Sequence, residues 1–269
     1  MSRGFLESTT MAFARAITRA MLSERTARQR GLLQSLDPRV RVVGLFSLVL
    51  AVTLCRRIDA VAGLFALAVV LALLSQVGLA ILAKRVWWVV LAFTGIIALP
   101  AIFITPGDVV TRLGTVFITA QGLRAAGLLV LRVETAVTFT ALLVFCTPWS
   151  HVLKALRALR LPREAIAMLA MTYRYVFLLV ETAAQMFESR RSRTVGVLAP
   201  AERRRMAART AGVLLSKTIE TSSEVYLAMQ SRGFAGDIQV LCDFRMTMWD
   251  YAGLLLFLAV GSFAVWAGR

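Results

Sequence analysis

The chain has 269 residues, 58% hydrophobic and only 17% charged. Soluble domains carry about a quarter charged residues, so a water-soluble globule is excluded and the apolar runs belong in a bilayer. Lys and Arg number 31 against 15 acidic residues, with one His and three scattered Cys, for a net charge of +16; that set provides no disulfide framework, no zinc site and little for His-based catalysis.

Residues 1–31 carry Arg3, Arg15, Arg19, Arg25, Arg28 and Arg30 without an apolar core and cleavage site, so no secretory signal peptide is expected. Phe13, Ile17 and Met21 recur every four residues. They suit an amphipathic helix on an anionic membrane surface; a plain basic tail that sets topology is the alternative.

Spanning the hydrocarbon takes about 20 apolar helical residues. Five stretches qualify: Val40 to Cys55, Ala60 to Leu79, Val86 to Ile104, Leu123 to Phe145 and Met248 to Trp266. Arg56-Arg57-Ile58-Asp59 breaks the first pair, and Thr105-Pro106-Gly107-Asp108 is a turn after the third. The expected class is an all-α integral membrane protein with five transmembrane helices and long cytoplasmic helices. Its parts are a basic segment 1–39, a four-helix region 40–146, a coupling region 147–245 and a last span within 246–269. Basic residues concentrate in the N-terminal segment, at Lys84 and Arg85, and in 147–245, which places these sides in the cytoplasm and the C-terminus outside. Topology explains the charge, and nucleic-acid binding is not needed.

Within 147–245 the pattern predicts a short helix from Trp149 to Arg160, a second from Arg163 to Arg193 after Leu161-Pro162, and a third from Ala201 to Arg232, closed by Gly233. The second has an apolar body of Ile166, Leu169, Tyr173, Phe177, Val180 and Met186, beside a polar stripe of Arg174, Glu181, Gln185, Glu188 and Ser192. The third repeats the design with Lys217, Glu220, Glu224 and Ser231 against Leu214, Val225, Tyr226 and Met229. Ordinary amphipathicity accounts for the stripes; a coupling role or a contact with a membrane partner is the sharper alternative. The helix ends are more specific. Ser192-Arg193-Thr194 and Ser231-Arg232-Gly233 lie 39 residues apart, and each presents an Arg at a helix C-terminus. The helix dipole alone favours a cation there, but two matched guanidinium forks also suit two equivalent grooves lined with carboxylates or carbonyls.

Arg132 and Glu134 fall inside the fourth span, where ionisable groups default to a function. For Arg132 the readings are a structural pair with another helix or the seating of a membrane partner. His151, just beyond, reads as a capping or interface residue. No GxxxxGK[ST] loop is present, so the chain should not hydrolyse ATP. No cofactor and no metal site are expected on it.

These marks in this order resemble the T component, the CbiQ-like transmembrane protein, of energy-coupling-factor transporters, especially the cobalt and nickel type. The resemblance runs from about Asp37 to Asp237. Leu36-Asp37-Pro38-Arg39-Val40-Arg41 is similar to the segment before the family's first span, and Gln121-Gly122-Leu123 through Leu131-Arg132 to the approach to its fourth. Leu161-Pro162, Tyr173-Arg174-Tyr175 and Glu181 resemble its long cytoplasmic helix. Ser192-Arg193-Thr194 and Ser231-Arg232-Gly233 fall where it has two short Ala-Arg-Xaa motifs. Ser replaces Ala in both, Thr194 stands where Gly is usual, Cys146-Thr147-Pro148 lacks the family's paired threonines, and Ser189-Arg190-Arg191 offers a second register for the first motif.

The resemblance implies a non-catalytic coupling subunit in the inner membrane of a bacterium. Arg193 and Arg232 would dock into a pair of cytoplasmic ATPase subunits, expected as a homodimer. The chain would also hold a substrate-binding membrane subunit, with a small accessory membrane subunit as a further partner, and would bind neither ATP nor cobalt itself. A vitamin-type transporter sharing the same component, a permease with its own path and a membrane enzyme are the competing readings. The last two are disfavoured by spans almost free of polar residues and by dispersed acidic ones.

Overall fold

The computed structural model describes residues 31–104, 109–113, 116–159, 161–193, 199–234 and 247–269. The expected tail helix at Phe13–Met21, the turn at Thr105–Asp108 and Thr194 lie outside these residues. The chain divides into two compact units. Helices α1 to α6, most of α7, and α10 belong to the first; α8 and α9 make up the second.

The first unit opens with the single turn α1 (Leu32–Ser35) and then α2 (Pro38–Leu54). Pro38 sits at the first helical position and Asp37 caps the helix, its carboxylate accepting the Arg39 N–H at 2.8 Å. Helix α3 (Ile58–Leu74) stops at Ser75, short of the expected Leu79, because Gln76 takes a left-handed φ of 55°. The next span is not one regular helix. It starts as α4 (Leu79–Leu82), widens into a π turn at Ala83–Trp87, and continues as α5 (Trp88–Ile104). A short antiparallel hairpin, β1 (Val109–Leu113) and β2 (Val116–Thr119), is a departure from the all-α expectation and the one sheet among the described residues. Its Val, Ile, Phe and Thr residues suit a pleated ribbon. Thr119 then caps α6 (Ala120–Cys146), its hydroxyl accepting the Gly122 N–H at 3.1 Å. Helix α7 (Trp149–Ala158) follows, and α10 (Met248–Gly268) completes the unit.

By length and composition, α6, α10 and the Arg163–Arg190 stretch of α8 can each cross a membrane, while α3 and Trp88–Pro100 are apolar but shorter. Only 6% of an apolar 18-residue window in that α8 stretch is buried, and Arg174 sits near the middle of the stretch. Composition thus adds α8 to the spans read from sequence.

Helix α2 is the axis of the first unit, packed on α10 and α6. In lipid, helices gain no hydrophobic energy from meeting each other, so close fit and polar contacts must hold them. The fit comes from small residues: a Cβ at Gly44 would lie 2.5 Å from Phe257, and one at Gly268 would lie 2.9 Å from the Cys55 sulfur. The polar contacts close helix ends. Arg41, only 3% exposed, donates through Nη1 to the Cys146 carbonyl at the end of α6 (2.6 Å) and through Nε to Leu36 O (3.0 Å). Arg132 of α6 donates through Nη2 to the Cys55 carbonyl at the end of α2 (2.6 Å). Each arginine satisfies a carbonyl that its partner helix cannot satisfy internally, and each places a cation at the negative end of a helix dipole. Asp250, buried in the first turn of α10, accepts the Asp37 N–H at 2.7 Å and the Thr247 N–H and hydroxyl at 2.9 and 2.6 Å.

Replacing Arg41 with Met should destabilise the protein by about 3 kcal/mol, because a buried and a half-buried carbonyl lose a charged donor. Arg132→Met should cost about half as much, having one such bond, and Arg56→Met, an exposed position, less than about 0.5 kcal/mol. Thermal melting in detergent measures all three; equal midpoints would show that the caps do not hold the bundle.

Candidate functional site

Among the described residues the second unit consists of two long helices and the end of α7. Helix α8 (Arg163–Arg193) begins where Pro162 prevents continuation from the preceding turn, and it runs for 31 residues as its pattern predicts. Helix α9 (Pro200–Ser231) begins with proline at its first position, and Glu202 reaches back to accept the Ala199 N–H at 3.1 Å. These are good helix starts.

Burial in this unit is thin. On α8 only Ala167, Ala183 and Phe187 are buried; the expected apolar body of Ile166, Tyr173, Phe177, Val180 and Met186 is half-buried, and Leu169 is exposed. On α9 Thr210 alone is buried, above a narrow seam through Leu214, Thr218, Thr221, Val225 and Met229. Tyr226 lies outside that seam, 59% exposed. The spacing of three and four keeps one face of α9 against its neighbour and leaves the rest bare. Large apolar side chains on the bare faces include Val176, Leu215, Ile219 and Leu227. Between the helices lies a cavity of about 630 Å³, with Met168, Met171, Tyr175, Val225, Met229 and Phe234 among its walls.

The polar stripes stand in the open. Arg174, Glu181, Gln185, Glu188 and Ser192 on α8 are exposed, as are Lys217, Glu220, Glu224 and Ser231 on α9. Lys217 alone among them borders the cavity. Arg132 belongs to the first unit, where its guanidinium bonds the end of α2. His151, in the first turn of α7, is half-buried and donates its backbone N–H to Pro148 O at 2.9 Å.

Both motif ends share one hydroxyl back-bond. The Ser192 hydroxyl donates to Ser189 O at 2.8 Å, and the Ser231 hydroxyl to Ala228 O at 2.9 Å, each three residues back. Serine here closes a carbonyl of the last turn, which alanine in the same place could not do. Arg193 and Arg232 follow directly and are exposed. The second end is complete: Gly233 has φ +75°, its N–H donates to Gln230 O at 2.9 Å, and the Phe234 N–H donates to Met229 O at 3.0 Å. That double bond pattern with a left-handed glycine is a Schellman close, and it turns Phe234 back to the cavity beside Met229. Arg232 is therefore presented at a rigid corner. Among the described residues no group of three or more His, Cys, Asp or Glu side chains could hold a metal ion.

Sequence reasoning found the helix ends and stripes but not the serine back-bonds, whose signal was present in Ser at both motif starts. It grouped Arg132 with Glu134; two residues apart on a helix, they point to different neighbours.

The model of the CbiQ family, described as cobalt transport protein, matches residues 29–241. The chain is 34% identical over 247 residues to an uncharacterised protein of Methanocaldococcus jannaschii, covering 90% of this chain and 85% of that one. It is 31% identical over 156 residues to the cobalt transport protein CbiQ of Rhodobacter capsulatus, covering 55% of this chain and 62% of that one.

Because Gly233 needs a left-handed backbone and its Cβ position is open, Gly233→Ala should cost about 1 kcal/mol from conformation alone. Hydrogen exchange should show faster exchange at Gly233 and Phe234, with a smaller change for Gly233→Asn. Unchanged protection in Gly233→Ala would refute the Schellman close.

Proposed function

Because this chain belongs to the CbiQ family of cobalt transport proteins, and is thus a membrane component of cobalt transport, we propose that it is the coupling scaffold of an energy-coupling-factor importer. In this reading two cytoplasmic ATPase subunits receive Arg193 and Arg232, and α8 and α9 carry their motion to a separate membrane subunit that binds cobalt. The chain itself hydrolyses no ATP and needs no cofactor. It resides in the cytoplasmic membrane, with α8 and α9 on the inner side, lying along the bilayer surface instead of crossing it. The central Arg174 supports that placement, since a guanidinium at mid-bilayer is costly.

One observation carries the proposal. Two long helices, sparsely buried, end in matched and exposed Ser-Arg pairs with the same serine back-bond. Isolated helices of this kind gain stability from what they pack against, and their bare apolar faces call for a membrane and partners. Forked guanidinium groups at such ends match carboxylate or carbonyl grooves. Nickel, or a vitamin carried by an exchangeable subunit, is the alternative cargo, since cargo choice resides in the partner.

The double variant Arg193→Glu, Arg232→Glu should lose ATPase copurification and ATP-dependent cobalt uptake, and each single variant should lose part of both, because a reversed charge repels the groove. The melting temperature should remain that of the wild type, both sites being exposed. Undiminished copurification by a correctly folded double variant would refute the docking assignment.

A further inference from the structure

A second cleft lies in the first unit, between α5 and α6. Its volume is about 580 Å³. Its walls are nearly all apolar and include the small residues Gly95, Ala98, Ala126 and Gly127. Neither glycine is required by the backbone, since neither has a positive φ, and neither is required by crowding. A Cβ at Gly95 would meet nothing within 4 Å, and one at Gly127 only Ile58 Cδ1 at 3.9 Å. They keep the walls low, as small residues do where a helix of another membrane chain approaches closely.

Among the described residues one charged side chain lines this cleft. Glu134 is 6% exposed, and neither carboxylate oxygen has a hydrogen-bond partner among the described residues. The nearby donors are committed elsewhere. The Trp87 indole N–H donates to Thr138 Oγ1 at 3.1 Å, the Thr138 hydroxyl donates to the backbone carbonyl of Glu134 at 2.6 Å, and Arg132 spends its Nη2 on Cys55 O, its Nε making no bond to Glu134. A buried carboxyl without partners is costly, and in a membrane such a group implies a partner. An acyl chain supplies no donor. Glu134 lies 12 residues from the nearer end of α6, about 18 Å along the axis, beyond the reach of a lipid headgroup amine. Two unpaired oxygens of one carboxylate suit a basic side chain, which can donate to both and neutralise the charge.

We propose that the α5–α6 cleft seats a transmembrane helix of the membrane partner subunit, which presents a basic side chain to Glu134. This rests on the scaffold reading, in which such a subunit exists, and adds where it is held and by what chemistry.

The test is purification of the whole complex from its native membrane in mild detergent. Wild type should bring down the ATPases and the membrane subunit. Gly95→Leu adds bulk to the cleft wall from an open Cβ position, Glu134→Leu removes the acceptor, and Glu134→Gln keeps its shape but removes its charge. Each should lose the membrane subunit at least tenfold while retaining the ATPases, whose presence shows that the chain is folded. The recovered subunit should have a Lys or Arg within an apolar helix, and its replacement by Leu should restore assembly with Glu134→Leu, since removing both partners leaves neither unpaired. If the membrane subunit stays with all three variants, or has no such basic residue, this inference falls and the scaffold reading stands. If wild type brings down no membrane subunit even after crosslinking, both fall.

Discussion

A helix that ends inside or at the edge of a bilayer leaves carbonyls that lipid cannot satisfy. Here α2 and α6 resolve this reciprocally: Arg41 of α2 closes the end of α6, and Arg132 of α6 closes the end of α2. The rest of the first unit is arranged around that pair. Asp250 ties the start of α10 to the start of α2, and the glycine contacts let α10 lie close enough for it to do so. Two of the arginines that contribute to the basic surplus are thus internal fasteners.

The second unit follows the opposite logic. Its helices are well started and α9 is well closed, yet little of their length is covered. Such a pair is suited to carrying displacement, since rigidity resides in each helix and not in a shared core. The serine back-bonds and the Schellman close stiffen the corners at which force would enter. A frayed end would absorb a push; a closed one passes it along the axis.

Much of this was legible in the residues. Apolar runs located α2, α3, α5, α6 and α10, and the proline and glycine marks set α8 and α9 to within a residue or so. Local signals govern those features. What escaped depends on distant partners. Arg41 reads as one more basic residue before a span until Cys146, 105 positions away, comes to meet it. Arg132 reads as buried too deep for comfort until the end of α2 is placed beside it. The π turn at Ala83–Trp87 and the hairpin after α5 have no local pattern strong enough to announce them. Hydropathy also cannot separate a helix lying on a membrane from one crossing it, which is why α8 meets the composition of a span. The Ser-Arg corners were visible as text, but their shared hydrogen bonds required backbone geometry.

The reciprocal caps have a consequence for how this chain can drift. Fourteen residues separate Arg41 from Cys55, and fourteen separate Arg132 from Cys146. The two helices therefore act as matched rulers of about 21 Å, laid side by side in opposite directions. Exchange of one apolar residue for another between the marks leaves both readings unchanged. Insertion of a single residue advances one mark by about 1.5 Å and swings it by about 100°, so one arginine faces away from its carbonyl whichever helix lengthens. As far as these two caps are concerned, the stretches between the four positions can change their spelling but not their count, while Gly44 is held besides by its contact with Phe257.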